Sequence, residues 1–416
     1  MTSDLIYNYT KRIETIKRGL ASSGNGQAAS RFLDALSDHG LSKGRVVYYG
    51  CRLPRILQWF DKTKIPLGDL TRDDCKEALR NITGDQYAGK TNRAYAETLK
   101  RLVHFAKAEE IGEKRDGKDY VEEVSWIRPE NFVKLGRKRE IKPGDLLTVE
   151  EIESLINAIS IVSRFSIRDR AMVLCMYEGA FRPGELLNMT VGGVLFKDKI
   201  AVISTTGKTG EKTIPMLLSY RPLLEWISQH PYKDDLDAPL WWSFQTKKIL
   251  GYGYLRKLVK SAAKKAGIKK KVWNYLFRHT KLTDVARKHP DQILKKFGNW
   301  KKGTDMMDVY VHLSESDLEE AVLKEHGLLK QESVRELTLK TCPRCSEQNT
   351  IGVKRCVKCG YVIDEQVAIK MAQREASGQD KETLIENYAK DVADLKKDYN
   401  ELKEMLVKVL KEKSGS

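Results

Sequence analysis

Apolar residues recur at three- and four-residue steps through most of the first 140 positions, the spacing of helices that each bury one face. Ala28–Leu36 is amphipathic, and Leu41–Phe60 predicts a second, longer helix with Ser42 as its cap. Thr71-Arg72-Asp73-Asp74 opens another, with a threonine N-cap and carboxylates where the first turn exposes its amides. Thr91–Lys107 predicts a fourth. It carries Tyr95, Leu99, Leu102 and Phe105 or Ala106 on one face, and Arg93, Lys100, Arg101 and Lys107 on the other. The stretch from Lys134 to Gly144 has no period, is strongly basic and ends in Pro-Gly, so it reads as a linker. Helical periodicity resumes behind Thr148 and Glu151, which have capping-box spacing. Between Val191 and Met216 the pattern changes: Ile200–Ser204 and Lys212–Met216 are β-rich and flank Thr206–Glu211, a small hairpin. Helices return from Tyr254. Far downstream, Ile385, Tyr388, Val392, Leu395, Tyr399, Leu402, Leu406 and Val409 alternate steps of three and four. That seam predicts a coiled coil between protomers or a helix packed on its own chain.

At 416 residues the chain exceeds one ordinary core and predicts two or three domains. The longest apolar runs, such as Ala171–Met176, are far too short to cross a bilayer, so no membrane partner is expected. The polar N-terminus shows no signal peptide, which predicts a cytoplasmic, nucleoid-associated protein. Lys and Arg number 74 against 57 Asp and Glu, a formal charge of +17. That excess suits a polyanionic partner, most simply double-stranded DNA; charge alone does not separate DNA from RNA. Cys51, Cys75 and Cys175 are scattered and read as ordinary structural thiols, whereas four cysteines crowd the end of the chain. Cys342-Pro-Arg-Cys345 and Cys356-Val-Lys-Cys359 are two knuckles separated by ten residues, the spacing of a tetrahedral structural zinc site. Four thiolates leave no open coordination position, so such a zinc is not catalytic.

Several separated segments combine basic and aromatic residues. In chain order they are Phe181-Arg182-Pro183-Gly184-Glu185, Gly207-Lys208-Thr209-Gly210, Tyr275-Leu276-Phe277-Arg278-His279-Thr280, Trp300-Lys301-Lys302 and Asp308-Val309-Tyr310-Val311-His312. Attack on a DNA phosphodiester needs a nucleophile, donors that neutralise the pentavalent phosphorane, a proton for the departing 5′-oxygen and a fixed geometry. Arginines suit the second task because each donates bidentate hydrogen bonds to phosphate oxygens. Two arginines, a lysine and a late tyrosine in this order resemble the tyrosine recombinases of the phage integrase family, specifically archaeal members, over roughly residues 30 to 315.

The resemblance implies roles. Arg182 and Arg278 match the family's two phosphate-binding arginines, with Glu185 placed to hold the first. Lys208 matches the lysine that protonates the leaving oxygen, with Lys212 as its neighbouring rival. Trp300, ten residues before Tyr310, fits the position held by His or Trp, with Asn299 as the competitor. Tyr275 stands where the family usually has His or Lys. Its phenol can donate to phosphate, but its reference pKa near about 10 makes it a poor base, so it reads as a positioning group or a core aromatic. Tyr310 is the nucleophile, and His279 and His312 read as packing or orienting groups. A 3′-phosphotyrosine keeps the energy of the broken bond, so religation needs neither ATP nor a catalytic cofactor.

The fold expected is mainly α. A helical core-binding domain (1–133) and a basic linker (134–146) precede a mixed, mostly helical catalytic domain with a small β-hairpin (147–330). A zinc ribbon (338–366) and a C-terminal helix (383–413) follow. The function expected is site-specific recombination for an archaeal mobile element, by a tetramer assembled on DNA. A type IB topoisomerase and a DNA-binding protein with a decayed catalytic domain are the alternatives.

Overall fold

The computed structural model describes residues 2–112, 120–136, 141–207, 209–300, 337–364, 367–369 and 371–373. It also describes the single positions Met307, Tyr310, Val322, Leu323, Glu325, His326, Lys390, Ala393, Lys396 and Lys403. Lys208, His312 and all eight positions of the predicted C-terminal seam lie outside them. The chain divides into two units, Met1–Arg335 and Glu336–Ser416.

The first unit opens with α1 (Thr2–Tyr7), α2 (Tyr9–Leu20), α3 (Gly26–Asp38), α4 (Lys43–Gly50) and α5 (Leu53–Thr63). Then come α6 (Arg72–Ile82), α7 (Gly89–Ala108) and the single turn α8 (Glu122–Ser125). The helix expected over 41–60 is thus two helices. Pro54 lacks the amide that would continue the ladder and instead sits in the first turn of α5. At α6 the Thr71 side chain accepts from the Asp74 amide while Asp74 reaches back to the Thr71 amide, a reciprocal cap. Helices α2 to α8 enclose one apolar cluster that includes Phe32, Tyr49, Phe60, Leu99, Leu102 and Ile127.

The basic face of α7, expected as part of a DNA-binding domain, is largely covered at Lys100 and Arg101. Lys100 and Arg101 are each only 7% exposed. The Lys100 ammonium donates to the Ile127 carbonyl at 3.0 Å and lies 4.2 Å from the Tyr120 ring centre. Arg101 sits over Tyr49, Lys107 pairs with Glu123 at 2.8 Å and Arg93 pairs with Glu130 at 3.2 Å. A buried ammonium costs too much unless partnered, and the segment from Tyr120 to Glu130 supplies the partners.

After Leu147, α9 (Val149–Val162) starts on the expected Thr148–Glu151 box. The following α10 (Ser166–Glu178) is buried on every side from Ala171 to Tyr177, which explains the unbroken apolar run there. Glu178 at its end accepts from the amides of Leu217, Leu218 and Ser219 at 2.6–2.8 Å. Next come α11 (Pro183–Leu187), β1 (Val194–Lys197), β2 (Ile200–Gly207) and β3 (Gly210–Met216). The strands form an antiparallel sheet in the order β1-β2-β3, with Ile203 opposite Ile214 and Gly207 opposite Gly210. Strand β3 alternates, turning Lys212, Ile214 and Met216 inward, and Pro215 is tolerated because β3 is an edge. The unit continues through α12 (Tyr220–Ser228), a minimal hairpin of β4 (Trp242–Ser243) and β5 (Lys248–Ile249), and α13 (Tyr252–Lys265). Its last described helices are α14 (Asn274–Lys288) and α15 (Asp291–Gly298). Among the described residues, no helix is long and apolar enough to cross a membrane.

In the second unit, β6 (Lys340–Thr341) pairs with β7 (Gln348–Asn349). An isolated bridge joins Arg355 and Val362.

Candidate active site and cysteine centre

A turn that breaks α10 creates the site. Ala180 adopts φ 46°, a left-handed backbone costing an alanine roughly 1 kcal/mol, and Arg182 is extended at the start of α11. Arg182 is the N-cap: its amide donates to Glu185 Oε2 at 2.9 Å and its Nη1 to Glu185 Oε1 at 2.5 Å. The same Nη1 donates to Thr209 Oγ1 at 3.1 Å, so the β2–β3 turn lies against this arginine. Lys208 itself is outside the described residues.

Arg278, on α14, is only 3% exposed. Its guanidinium is held by main-chain carbonyls: Nη1 donates to Ala180 O and Nη2 to Gly298 O, both at 2.6 Å. Glu185 Oε2 lies 3.9 Å from Arg278 Nη1, so one buried carboxylate is shared by both arginines. Burial lowers the Arg278 pKa, with Arg182 adding to the effect and Glu185 opposing it. The pair still carries more positive charge than Glu185 cancels, which makes an anion-binding centre.

Tyr310 is 1% exposed and packs with Leu282, Val285 and Leu294. Its ring stacks on Trp300 at 5.4 Å between centres, and the Trp300 ring lies 5.9 Å from the Arg278 guanidinium carbon. The Trp300 indole nitrogen is buried and has no hydrogen-bond partner among the described residues. Asn299 instead turns its amide towards Gly210 O at 3.4 Å. Burial raises the Tyr310 pKa, and the charges of Arg278 and Arg182 oppose that rise. Tyr275 is 39% exposed in the first turn of α14, its pKa likewise raised by burial against the same two arginines. It shares an aromatic rim with Tyr252 and Tyr7, whose rings lie 5.5 Å apart. The structure thus brings Arg182, Arg278, Trp300 and Tyr310 around one centre and leaves Tyr275 at its edge.

Gly298 packs directly against the indole. A Cβ there would fall 2.5 Å from Trp300 Cδ2, inside any allowed contact. Gly298→Ala is expected to push the indole off Tyr310 and to slow any reaction at Tyr310 by on the order of 10²-fold, with DNA affinity retained. Single-turnover rates beside a binding isotherm measure this.

Lys212 proves to be a structural member of the site. It is 3% exposed, donates from Nζ to Gly179 O at 2.6 Å and lies 4.6 Å from the Phe181 ring centre. It braces the turn that leads into Arg182; the inward phase of β3 was its available sequence signal. Burial, then Arg278, pull its pKa to about 7, against Glu185 and with a smaller push from Arg182. The unfolded chain therefore holds a proton that the folded one sheds between about pH 7 and 10.5, so stability rises with pH across that window. From pH 7 to 9 the gain from this residue should be on the order of 2 kcal/mol. Thermal melts of Lys212→Met should show a flatter rise than the wild type over that range.

In the second unit the sulfurs of Cys342, Cys345, Cys356 and Cys359 all lie within 4.8 Å of one another. The Cys342–Cys359 and Cys345–Cys356 sulfurs are 3.6 and 3.5 Å apart. Zinc–sulfur bonds of about 2.3 Å in a tetrahedron require sulfurs about 3.8 Å apart, so the donor set fits that ion. Each knuckle closes alike: the Ser346 amide donates to Cys342 O and the Gly360 amide to Cys356 O, both at 2.9 Å. Buried Asn349 donates to Cys356 Sγ at 3.7 Å and accepts from the Val357 amide at 3.0 Å.

Residues 145–317 match the phage integrase family. Tyrosine recombinase XerD of Vibrio vulnificus is 21% identical over 188 residues, 45% of this chain and 56% of that protein. XerD of Xanthomonas campestris pv. campestris is 27% identical over 192 residues, 46% of this chain and 54% of that protein. The chain therefore spans about half the length of these relatives. Transposase A from transposon Tn554 of Staphylococcus aureus is 20% identical over 325 residues, 69% of this chain and 88% of that protein. Among solved structures, XerH site-specific recombinase in a post-cleavage complex with palindromic difH substrate superposes with a TM-score of 0.52. The two are 19% identical, and the match covers 76% of this chain and 95% of that one, a likeness of fold.

Proposed function

We propose, from the premise that residues 145–317 form a tyrosine recombinase domain of the phage integrase family, that this protein is a site-specific DNA recombinase of a mobile element. The observation that carries the reading is the convergence of Tyr310 and Trp300 on Arg278, itself tied to Arg182 through Glu185. A scissile phosphate at the arginine pair takes donors from Arg182 and Arg278. The Trp300 indole, without a partner among the described residues, supplies a further N–H, and Tyr275 a phenol from the rim. The Tyr310 oxygen attacks phosphorus, the 5′-oxygen leaves with a proton from Lys208, and a 3′-phosphotyrosine remains. Exchange between two duplexes breaks four strands, one per active site, so four protomers assemble on double-stranded DNA. Such a protein works at the nucleoid in the cytoplasm, and the basic linker of 134–146 fits the duplex path. The resemblance favours an archaeal virus or plasmid. We assign a structural zinc to the four cysteines and no catalytic cofactor to the reaction.

The test is incubation of the full chain with end-labelled duplex from its own element, without magnesium, followed by denaturation. A covalent protein–DNA adduct, together with strand exchange between two marked duplexes, is expected. An adduct with no exchange would instead favour a topoisomerase, and tight binding with no adduct a decayed catalytic domain.

A further inference from the structure

We propose that His279 is the proton acceptor for Tyr310 in strand cleavage, a proposal that rests on the recombinase reading. Its Nδ1 lies 3.1 Å from the Tyr310 hydroxyl oxygen, and the two rings stack at 5.7 Å between centres with planes 29° apart. His279 follows Arg278 on α14, so the helix that supplies a phosphate donor also presents a base to the nucleophile.

A neutral phenol attacks phosphorus poorly, and something must take its proton. Tyr275, at the usual base position, is a phenol whose pKa burial has raised, so it holds its own proton near neutrality. Arginine does not deprotonate, and the indole of Trp300 donates only. Glu185 has both oxygens committed to Arg182. Among the described residues, His279 is the group with a free lone pair within hydrogen-bond distance of the Tyr310 hydroxyl. The tautomer protonated at Nε2 leaves Nδ1 as acceptor.

Burial and then the charge of Arg278 hold the imidazole pKa down to about 4, so the ring starts unprotonated. Among the described residues, the titratable groups that face it are Arg278 and Tyr310. A scissile phosphate at the arginines brings negative charge that offsets Arg278 and restores basicity as the proton moves. In cleavage the Tyr310 oxygen bonds to phosphorus as its proton passes to Nδ1. The 5′-oxygen departs with the bonding pair and takes a proton from Lys208. In religation the 5′-hydroxyl returns that proton to Lys208, and the imidazolium returns the other to the leaving phenolate.

The experiment measures single-turnover adduct formation by the full-length protein on a nicked duplex that traps cleavage. Wild type, His279→Ala, His279→Asn and Lys208→Ala are compared, with melting temperature and DNA affinity recorded for each. Every protein is assayed on ordinary DNA and on DNA whose leaving 5′-oxygen is replaced by sulfur, which departs without a proton. The asparagine side chain of His279→Asn reproduces the hydrogen bond made by Nδ1 but takes no proton. Both His279 variants are expected to lose about 10²–10³-fold on both substrates. Lys208→Ala should be repaired by sulfur. A His279→Asn protein that cleaves at the wild-type rate overturns the assignment, leaving orientation alone. Repair of the His279 variants by sulfur overturns it too, since the proton would then belong to the leaving group. Absence of any wild-type adduct would instead sink the recombinase reading itself.

Discussion

Tyr310→Phe will bind duplex DNA as the wild type does and will form no covalent adduct with it. The substitution removes one oxygen from a ring that is 1% exposed. Stacking on Trp300 and His279, and burial against Leu282, Val285 and Leu294, all survive in phenylalanine. The hydrogen bond to His279 Nδ1 is lost, at about 1 kcal/mol of stability, too little to unfold the domain. Cleavage, by contrast, loses the atom that forms the bond, and the rate should fall by at least about 10⁴-fold. Denaturing electrophoresis of labelled DNA beside a binding isotherm separates the two effects. An undiminished adduct from Tyr310→Phe would move the nucleophile elsewhere, with Tyr275 on the rim as the next residue to test.

Removal of the metal from the cysteine centre should unfold residues 337–364 and leave the first unit intact. The apolar content of this segment is slight: beyond Cys342 and Cys356, Ile351 is its buried hydrophobic residue among those described. Its sheet is two residues by two, far below what holds itself in water. A structural zinc supplies about 10–16 kcal/mol to domains of this kind, so folding and binding are one event. The full chain should hold one zinc per protomer by elemental mass spectrometry. A strong chelator, or Cys356→Ser, should open the bonds after Lys340, Arg344, Lys354 and Lys358 to trypsin while the main thermal transition stays in place. Protection that persists without metal would refute a structural role for the ion.

Much of this site was legible in the sequence because phosphoryl chemistry demands particular side chains. Arg182, Arg278, Trp300 and Tyr310 are far apart in the chain, and no hydrophobic pattern requires any of them. The hairpin was equally plain, since period-two segments flanked Gly207 and Gly210. What escaped depended on contacts that no local pattern encodes. Lys100 and Arg101 read as part of a basic face suited to DNA, yet the chain from Tyr120 onward covers Lys100 with a carbonyl and a ring face, and Arg101 lies over Tyr49. Lys212 reads as a rival to Lys208 until strand phase places it inward, against Gly179. His279 reads as packing until the segment bearing Tyr310 delivers a hydroxyl to it. In each case a polar group is buried, and its partner comes from a distant part of the chain.

The carbonyls that hold Arg278 have a consequence for how such a site ages. Ala180 and Gly298 bind the guanidinium through atoms every amino acid possesses, so substitution at most neighbouring positions leaves the grip untouched. What lineages must inherit is the path of the main chain past the arginine, along with the few residues that react. A centre built this way can keep its architecture while most letters around it are rewritten, and one-fifth identity to a relative is compatible with that.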